Sequence, residues 1–446
     1  MNIKLIFELL QIQMSSLNKF SFINPNKFPF FYGYIVLFIG SLGILASIPG
    51  QTVGVSIFTD PVKDALGLSR NQFSNAYMIG TLLSAFFVTK AGVLFDLYGA
   101  RYVAFFATLF LGISLLLCSV SVEISDSTKN VFNFNSWIVP FVLMTILFFF
   151  IRFCGQGVLT MASRNMIMIW FDKNRGKVNS ISSIAVTLGF SSSPIFINYL
   201  VDNHGWEMSW QLLAICLFIF SFCVFQLYRN RPEDFNLLPD GVTKKAKTTK
   251  AIKVETDFTL EETKKTRAFW MIGLTLAFNS FFITGFTFHV VSIFGSQDYS
   301  KNQAIAVFIP ISIIAISVST LCNILSDYVH HKIYVYIMQV SGLLASLGLL
   351  FLSNTFGVYL LIVGLGTCGG LFAVVNAVTW PRYYGRKYLG VITGKVMSFL
   401  VMASAIAPSL FSYCYSEFGT YGYISYLTLA FSVFLIIGSL KIRNPQ

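Results

Sequence analysis

Charged residues are what this chain has least of. Asp, Glu, Lys and Arg make up 11% of its 446 residues and apolar residues 55%, against roughly 25% and 45–50% in soluble domains. A water-soluble fold has no way to hide that much apolar surface, so soluble enzymes, nucleic-acid binders and secreted scaffolds are disfavoured. Acids are scarcest where they would matter most. None of the 19 Asp and Glu falls inside a long apolar run, which leaves no buried carboxylate relay for protons. Cysteine is sparse too: the seven lie in or beside apolar runs without a pairing pattern and read as small packing residues. No Cys/His cluster has zinc spacing, and the adjacent His330 and His331 lie in a short polar connection, so neither a metal nor another cofactor is expected.

What fills the chain instead is apolar runs of about twenty residues, the length of a membrane-crossing helix. Twelve candidate spans cover 32–57, 72–89, 103–122, 137–163, 178–200, 208–228, 268–294, 303–326, 333–352, 357–380, 390–413 and 421–440. None shows the strict alternation of a lipid-facing barrel strand. The expected fold class is therefore an all-α membrane protein with twelve transmembrane helices, and the lipid bilayer is its first partner.

The net charge of +12 reports topology before it reports partners. With the N-terminus inside, the inner stretches hold 26 of the 31 Lys and Arg, and the outer ones only Lys63, Arg70, Lys129 and Lys301. Arg152, deep within span four, is the one left over. This positive-inside bias puts both termini in the cytoplasm of a multi-pass protein of the cell (inner) membrane.

The 39-residue mixed-charge stretch 229–267 divides the chain. The organisation that follows is a cytoplasmic tail (1–31), a six-helix bundle (32–228), a cytoplasmic linker (229–267), a second six-helix bundle (268–440) and a short cytoplasmic tail (441–446). The tail opens with a weakly amphipathic piece containing Glu8, a poor signal peptide, and Met14 offers an alternative start. The halves repeat each other: a shift of 214 positions carries Gly176, Pro194 and Gly205 onto Gly390, Pro408 and Gly419, while Asp96 matches Asp327 at a different offset. Two six-helix repeats that both start inside are parallel repeats about an axis normal to the membrane.

The connection after span two reads Gly92-Val-Leu-Phe-Asp96-Leu-Tyr-Gly99-Ala-Arg101. It resembles the signature loop of the major facilitator superfamily of secondary transporters, G-x-L-x-D-x-x-G-x-[RK]. The second-half copy, from Asn323 to His330, keeps Asp327 and replaces both glycines, and Arg152-Phe-Cys-Gly155-Gln-Gly157 resembles an element of span four. The resemblance covers nearly the whole chain and implies alternating access between two six-helix bundles. It also implies an inner gate made of Gly92, Asp96, Gly99, Arg101 and Asp327, with Asp96 close to helix ends and to Arg101. Phe31-Tyr32-Gly33-Tyr34 and the segment Arg231 to Gly241 look like the monocarboxylate and oxalate/formate branch. That branch often holds a carboxylate with basic residues in spans eight and eleven. Span eight here has neither Lys nor Arg, and Lys395 lies about six residues into span eleven.

Among the residues themselves, Arg152 is the most informative. A charge deep in a span costs roughly 2.5–3.5 kcal/mol on insertion scales, so it should face a cavity or a partner. At α-helical spacing it shares a face with Gln156, Thr160 and Ser163, offsets of 4, 8 and 11, and a guanidinium matches a carboxylate in two-pronged geometry. The competing reading is an Arg bonded to backbone carbonyls of neighbouring helices. His289 shares a stripe on span seven with Thr275, Asn279, Phe282 and Phe286, and either carries a coupled proton or sits bonded at the interface. Gln51 and Thr52 follow Pro49-Gly50, a pair that loosens span one or simply kinks it.

The expected substrate-binding set is Arg152, Gln156, Thr160, Gln51, Asn279, His289 and Lys395. The expected activity is transport of a small organic solute, above all a monocarboxylate-like anion, with protons or a counter-transported anion as coupling partners. Efflux of amphipathic, drug-like compounds and a non-transporting sensor derived from a transporter are the alternatives. Catalysis is not expected, because one Arg, one His and scattered hydroxyls make no triad. Channel filter loops and charge rings are likewise missing.

Overall fold

The computed structural model describes residues 23–134, 136–241, 256–326 and 328–446, with backbone alone at Ser191, Lys301 and Ile305. All regular structure among them is helical. Ten helices are long and apolar enough to cross a membrane. Two of these, Arg70–Ser119 and Arg175–Leu227, run for 50 and 53 residues. At 1.5 Å per residue each would extend about 75–80 Å, more than twice a bilayer core of ~30 Å. Each is broken once, at Gly99 (φ 79°, ψ 172°) and Gly205 (φ 77°, ψ 167°). A residue with a Cβ is strained in this region of backbone space, so glycine marks where one span ends and the next begins. Ten runs thereby become twelve spans, in agreement with the hydropathy.

The remaining spans are Gly33–Ala46, the segments from Ile138 to Trp170, Arg267–Gly295, Phe308–Leu325, His331–Leu350, Thr355–Tyr384, Leu389–Phe418 and Gly422–Ser439. An additional helix, Ser121–Phe132, follows span three where hydropathy suggested a loop. Large apolar side chains stand exposed along the spans, Phe38 at 66% and Ile195 at 75% among them. In water such a surface invites aggregation; in lipid it is the solvent-facing surface.

The chain forms two compact units. The first comprises Met1–Asp172, Ala185–Ala251 and Tyr388–Ser398; the second comprises Lys173–Ile184, Ile252–Lys387 and Phe399–Gln446. Each unit therefore contains the opening turns of one helix that otherwise belongs to the other. The two exchanged pieces superpose under the same 214-residue shift, within one position. Gly205 and its repeat mate Gly419 both adopt positive φ, and Pro194 and Pro408 both lie inside helices. The internal repeat thus extends from sequence to backbone geometry. The second unit is built on an aromatic core in which Phe278, Phe282, Phe286, Phe294 and Phe411 pack among buried Leu and Ile.

Candidate functional site

Span one does not run straight. Gly33–Ala46 gives way to a 3-10 turn, Ile48–Gly50, then to the short helix Thr52–Val55. Proline at 49 removes a backbone donor, and the break frees carbonyls from the helical ladder. Gly54 N donates to Gln51 O at 3.1 Å rather than to Gly50. Against this break lies span four, whose middle, Arg152–Leu159, is π-helical between Ile138–Ile151 and Thr160–Trp170. The two backbones touch: a Cβ on Gly50 would stand 2.7 Å from Gly155 Cα, and one on Gly155 equally close to Gly50 Cα. Only glycine at both positions permits the contact.

Arg152 sits at this crossing and is 1% exposed. Its Nη1 donates to Gly50 O at 3.0 Å, and its guanidinium carbon lies 5.2 Å from the centre of the Tyr77 ring. Among the described residues Nε and Nη2 have no hydrogen-bond partner, and neither has the buried Oε1 of Gln156. The open pair is chemically specific. Nε–H and Nη2–H lie on one edge of the guanidinium and point the same way, the side-on fork that accepts both oxygens of a carboxylate. Leaving such donors buried and unmade costs about 1–3 kcal/mol each, more for a charged group.

The expected polar stripe is only partly realised. Gln51 Nε2 donates to Ser47 Oγ and Thr160 Oγ1, both at 3.1 Å, and Thr160 Oγ1 donates to Ser47 Oγ at 2.9 Å. Gln51 and Thr160 thus tie span one to span four beside Arg152. Ser163 lies against Gly43 of the same span one, and its Oγ meets Tyr228 Oη at 2.7 Å.

One basic residue was assigned to a loop and belongs to a helix. Arg164, placed in the connection after span four, is half-buried within Thr160–Trp170. The apolar run from Met166 to Trp170 beyond it was the available signal. Twelve residues of helix put it about 18 Å from Arg152 along the axis, too far for one small anion to touch both.

In the second unit, Asn279 is buried on Arg267–Gly295. His289 Nε2 lies 2.9 Å from Pro408 O, and its ring stacks on Phe411 at 4°. A carbonyl only accepts, so Nε2 carries the proton. Thr275 turns away from the expected stripe and accepts from Gln339 Nε2 at 2.9 Å, and Phe282 and Phe286 belong to the aromatic core. Lys395 is half-buried on the second turn of Leu389–Phe418, in the piece that packs with the first unit.

The loop after span two forms a docking point for that same helix. Asp96 Oδ1 accepts from Gly390 N at 2.7 Å and Oδ2 from Val391 N at 2.8 Å. A carboxylate on the first free amides of a helix satisfies orphan donors and favours the positive end of the helix dipole. Gly92 and Gly390 make this approach possible, since a Cβ on Gly92 would fall 2.2 Å from Gly390 O. One turn on, Asn165 Nδ2 donates to Thr393 Oγ1 at 2.7 Å. Arg101 is not the partner of Asp96: its Nε donates to Phe225 O at 2.7 Å. Asn230 fills the space that a side chain at Gly99 would need and accepts from Arg101 N at 3.1 Å. Asp327 lies outside the described residues. Four residues before it, Asn323 Oδ1 accepts from Asn179 Nδ2 at 2.6 Å. The two branch-like motifs also meet, because Phe31 packs over Gly241 and Asp172 N donates to Asp240 Oδ2 at 3.0 Å.

Comparison with known proteins fits this geometry. Among solved structures, the human organic anion transporter MFSD10 (TETRAN) aligns with a TM-score of 0.59 at 13% identity, over 91% of this chain and 99% of its own. The proton:xylose symporter XylE, bound to 6-bromo-6-deoxy-D-glucose, aligns with a TM-score of 0.59 at 16% identity, over 91% of this chain and 94% of its own. One neighbour is described as carrying organic anions and the other a sugar, so the shared fold does not choose the solute. No curated protein matches in sequence. The sequence pattern of the Major Facilitator Superfamily matches residues 30–408, and the chain belongs to that superfamily of multi-pass membrane transporters of small solutes.

Proposed function

We propose that this transporter moves a small organic anion bearing a carboxylate, most simply a monocarboxylate, and that Arg152 is its anchor. The observation that carries the reading is the open Nε/Nη2 edge of Arg152, held in place by the Gly50 carbonyl and shielded from solvent. Alternating access requires a site that is closed to both sides in some states and open in others, and a fork that no solvent reaches suits a closed one. Gln156 offers a further contact, and Gln51 and Thr160 hold the two backbones that position the fork.

Asp96 has a different role in this account. Docking of Gly390 and Val391 on its carboxylate is a contact made in one state and broken in the other, so its strength sets the balance between states. Both termini are cytoplasmic in this reading, from the 26-to-4 distribution of Lys and Arg. A thermal-shift screen of short carboxylates, their neutral amides, sugars and lipophilic cations tests the solute class, because only a ligand of the folded state raises the melting point. Carboxylates should stabilise the wild type and leave Arg152→Gln unmoved. Stabilisation by sugars or lipophilic cations, with none by carboxylates, would refute the assignment.

A further inference from the structure

We propose that the end of span six carries a second anion site, separate from Arg152, that takes a phosphate group. The run Arg175–Leu227 and the residues after it present carbonyls that a helix leaves without partners. Four of them are met by different side chains. Phe225 O accepts from Arg101 Nε at 2.7 Å, Leu227 O from Tyr32 Oη at 2.8 Å, Tyr228 O from Arg229 Nη1 at 2.6 Å, and Arg229 O from Trp170 Nε1 at 3.0 Å.

Capping consumes only part of the two guanidiniums. Arg229 Nη2 donates to Ile23 O at 2.7 Å, but Arg229 Nε and both Nη atoms of Arg101 are buried without an acceptor among the described residues. Both residues are 1% exposed. The guanidinium of Arg101 stacks 4.3 Å from the centre of the Phe225 ring. Stacking occupies a face and leaves the Nη1/Nη2 edge open. Among the described residues no carboxylate lies within ion-pair distance of either. Arg229 feels this environment: burial, opposed by Tyr32 and reinforced by Arg101, pulls its pKa down to about 10.

Two buried cations beside each other with no counter-charge among the described residues are electrostatically incomplete. The C-terminal end of a helix supplies only about half a negative charge, against two full positive ones. An anion supplies the rest, and the open donors specify its shape. One oxygen pair is needed for the end-on fork of Arg101 and another acceptor for Nε of Arg229. A phosphate presents its oxygens in a tetrahedral array and bridges two guanidiniums, whereas a carboxylate has only two oxygens in one plane. A lipid headgroup and free inorganic phosphate share this chemistry.

The test is thermal unfolding of the purified, delipidated full-length protein in neutral detergent. Three probes are added separately: phosphatidylglycerol, inorganic phosphate and phosphate-free diacylglycerol. The measured quantity is the ligand-induced shift, since losing a cap alters the baseline. Wild type should rise by about 5 °C at a hundredfold excess over Kd with a phosphate-bearing probe and not with diacylglycerol. A rise with phosphatidylglycerol alone identifies a lipid as the source, and a rise with inorganic phosphate identifies the free anion. Arg101→Gln and Arg229→Gln should lose at least two thirds of the shift. Should either fail to fold, Arg101→Lys, which keeps the charge and loses the fork, should show at least a threefold weaker response. No shift in the wild type, or an undiminished shift in the variants that fold, overturns the proposal.

Discussion

Arg152 and His289 are both ionisable side chains that hydropathy placed inside spans, and the protein treats them differently. His289 is settled by its own unit, with Nε2 on the Pro408 carbonyl and its ring against Phe411. Arg152 has one nitrogen on the Gly50 carbonyl and two without a hydrogen-bond partner among the described residues. A polar group within a span costs free energy in either case. The difference lies in what offsets that cost among the described residues: for His289 a carbonyl beside a helix proline, for Arg152 one carbonyl and the face of Tyr77, with the proposed solute to complete it.

The sharpest way to break this contrast is to remove each side chain in turn. Arg152→Gln should lower the uptake kcat/KM by about a hundredfold or more, the equivalent of two charge-assisted hydrogen bonds at about 1.5–3 kcal/mol each. Its melting temperature should hold or rise, because an unpaired buried charge has gone. Arg152→Lys, charged but unable to fork, should still lose about tenfold in proteoliposome uptake. An intermediate effect is expected at the docking point. Asp96→Asn or Gly92→Ala should slow turnover about tenfold while KM stays within about twofold, as expected when the balance of states rather than the site is disturbed. His289→Phe should do least. It loses one neutral hydrogen bond of about 0.5–1.5 kcal/mol, seen as a melting point a few degrees lower, with uptake within about twofold of wild type.

The elements were legible in the sequence to the extent that their causes are local. Apolar length gave twelve spans, and Gly99 and Gly205 sit where two long helical runs break. The open edge of Arg152 was not legible. It depends on a π-helical segment that packs against Gly50, about a hundred residues earlier. The partner of Asp96 was equally out of reach. The sequence offered Arg101, five positions away, and the structure supplies the amides of Gly390 and Val391, nearly three hundred positions away. Arg164 was misplaced because its own charge truncated the hydropathy window of a helix that continues to Trp170.

The central claim is that the open edge of Arg152 recognises a carboxylate. Its most direct test is uptake into proteoliposomes of a short radiolabelled monocarboxylate and of its neutral amide, a near-isostere, by wild type and Arg152→Gln reconstituted at equal density. The account predicts saturable uptake of the acid but not the amide by wild type, and of neither by the variant. Equal uptake of the acid by Arg152→Gln, or a preference of wild type for the amide, would contradict it.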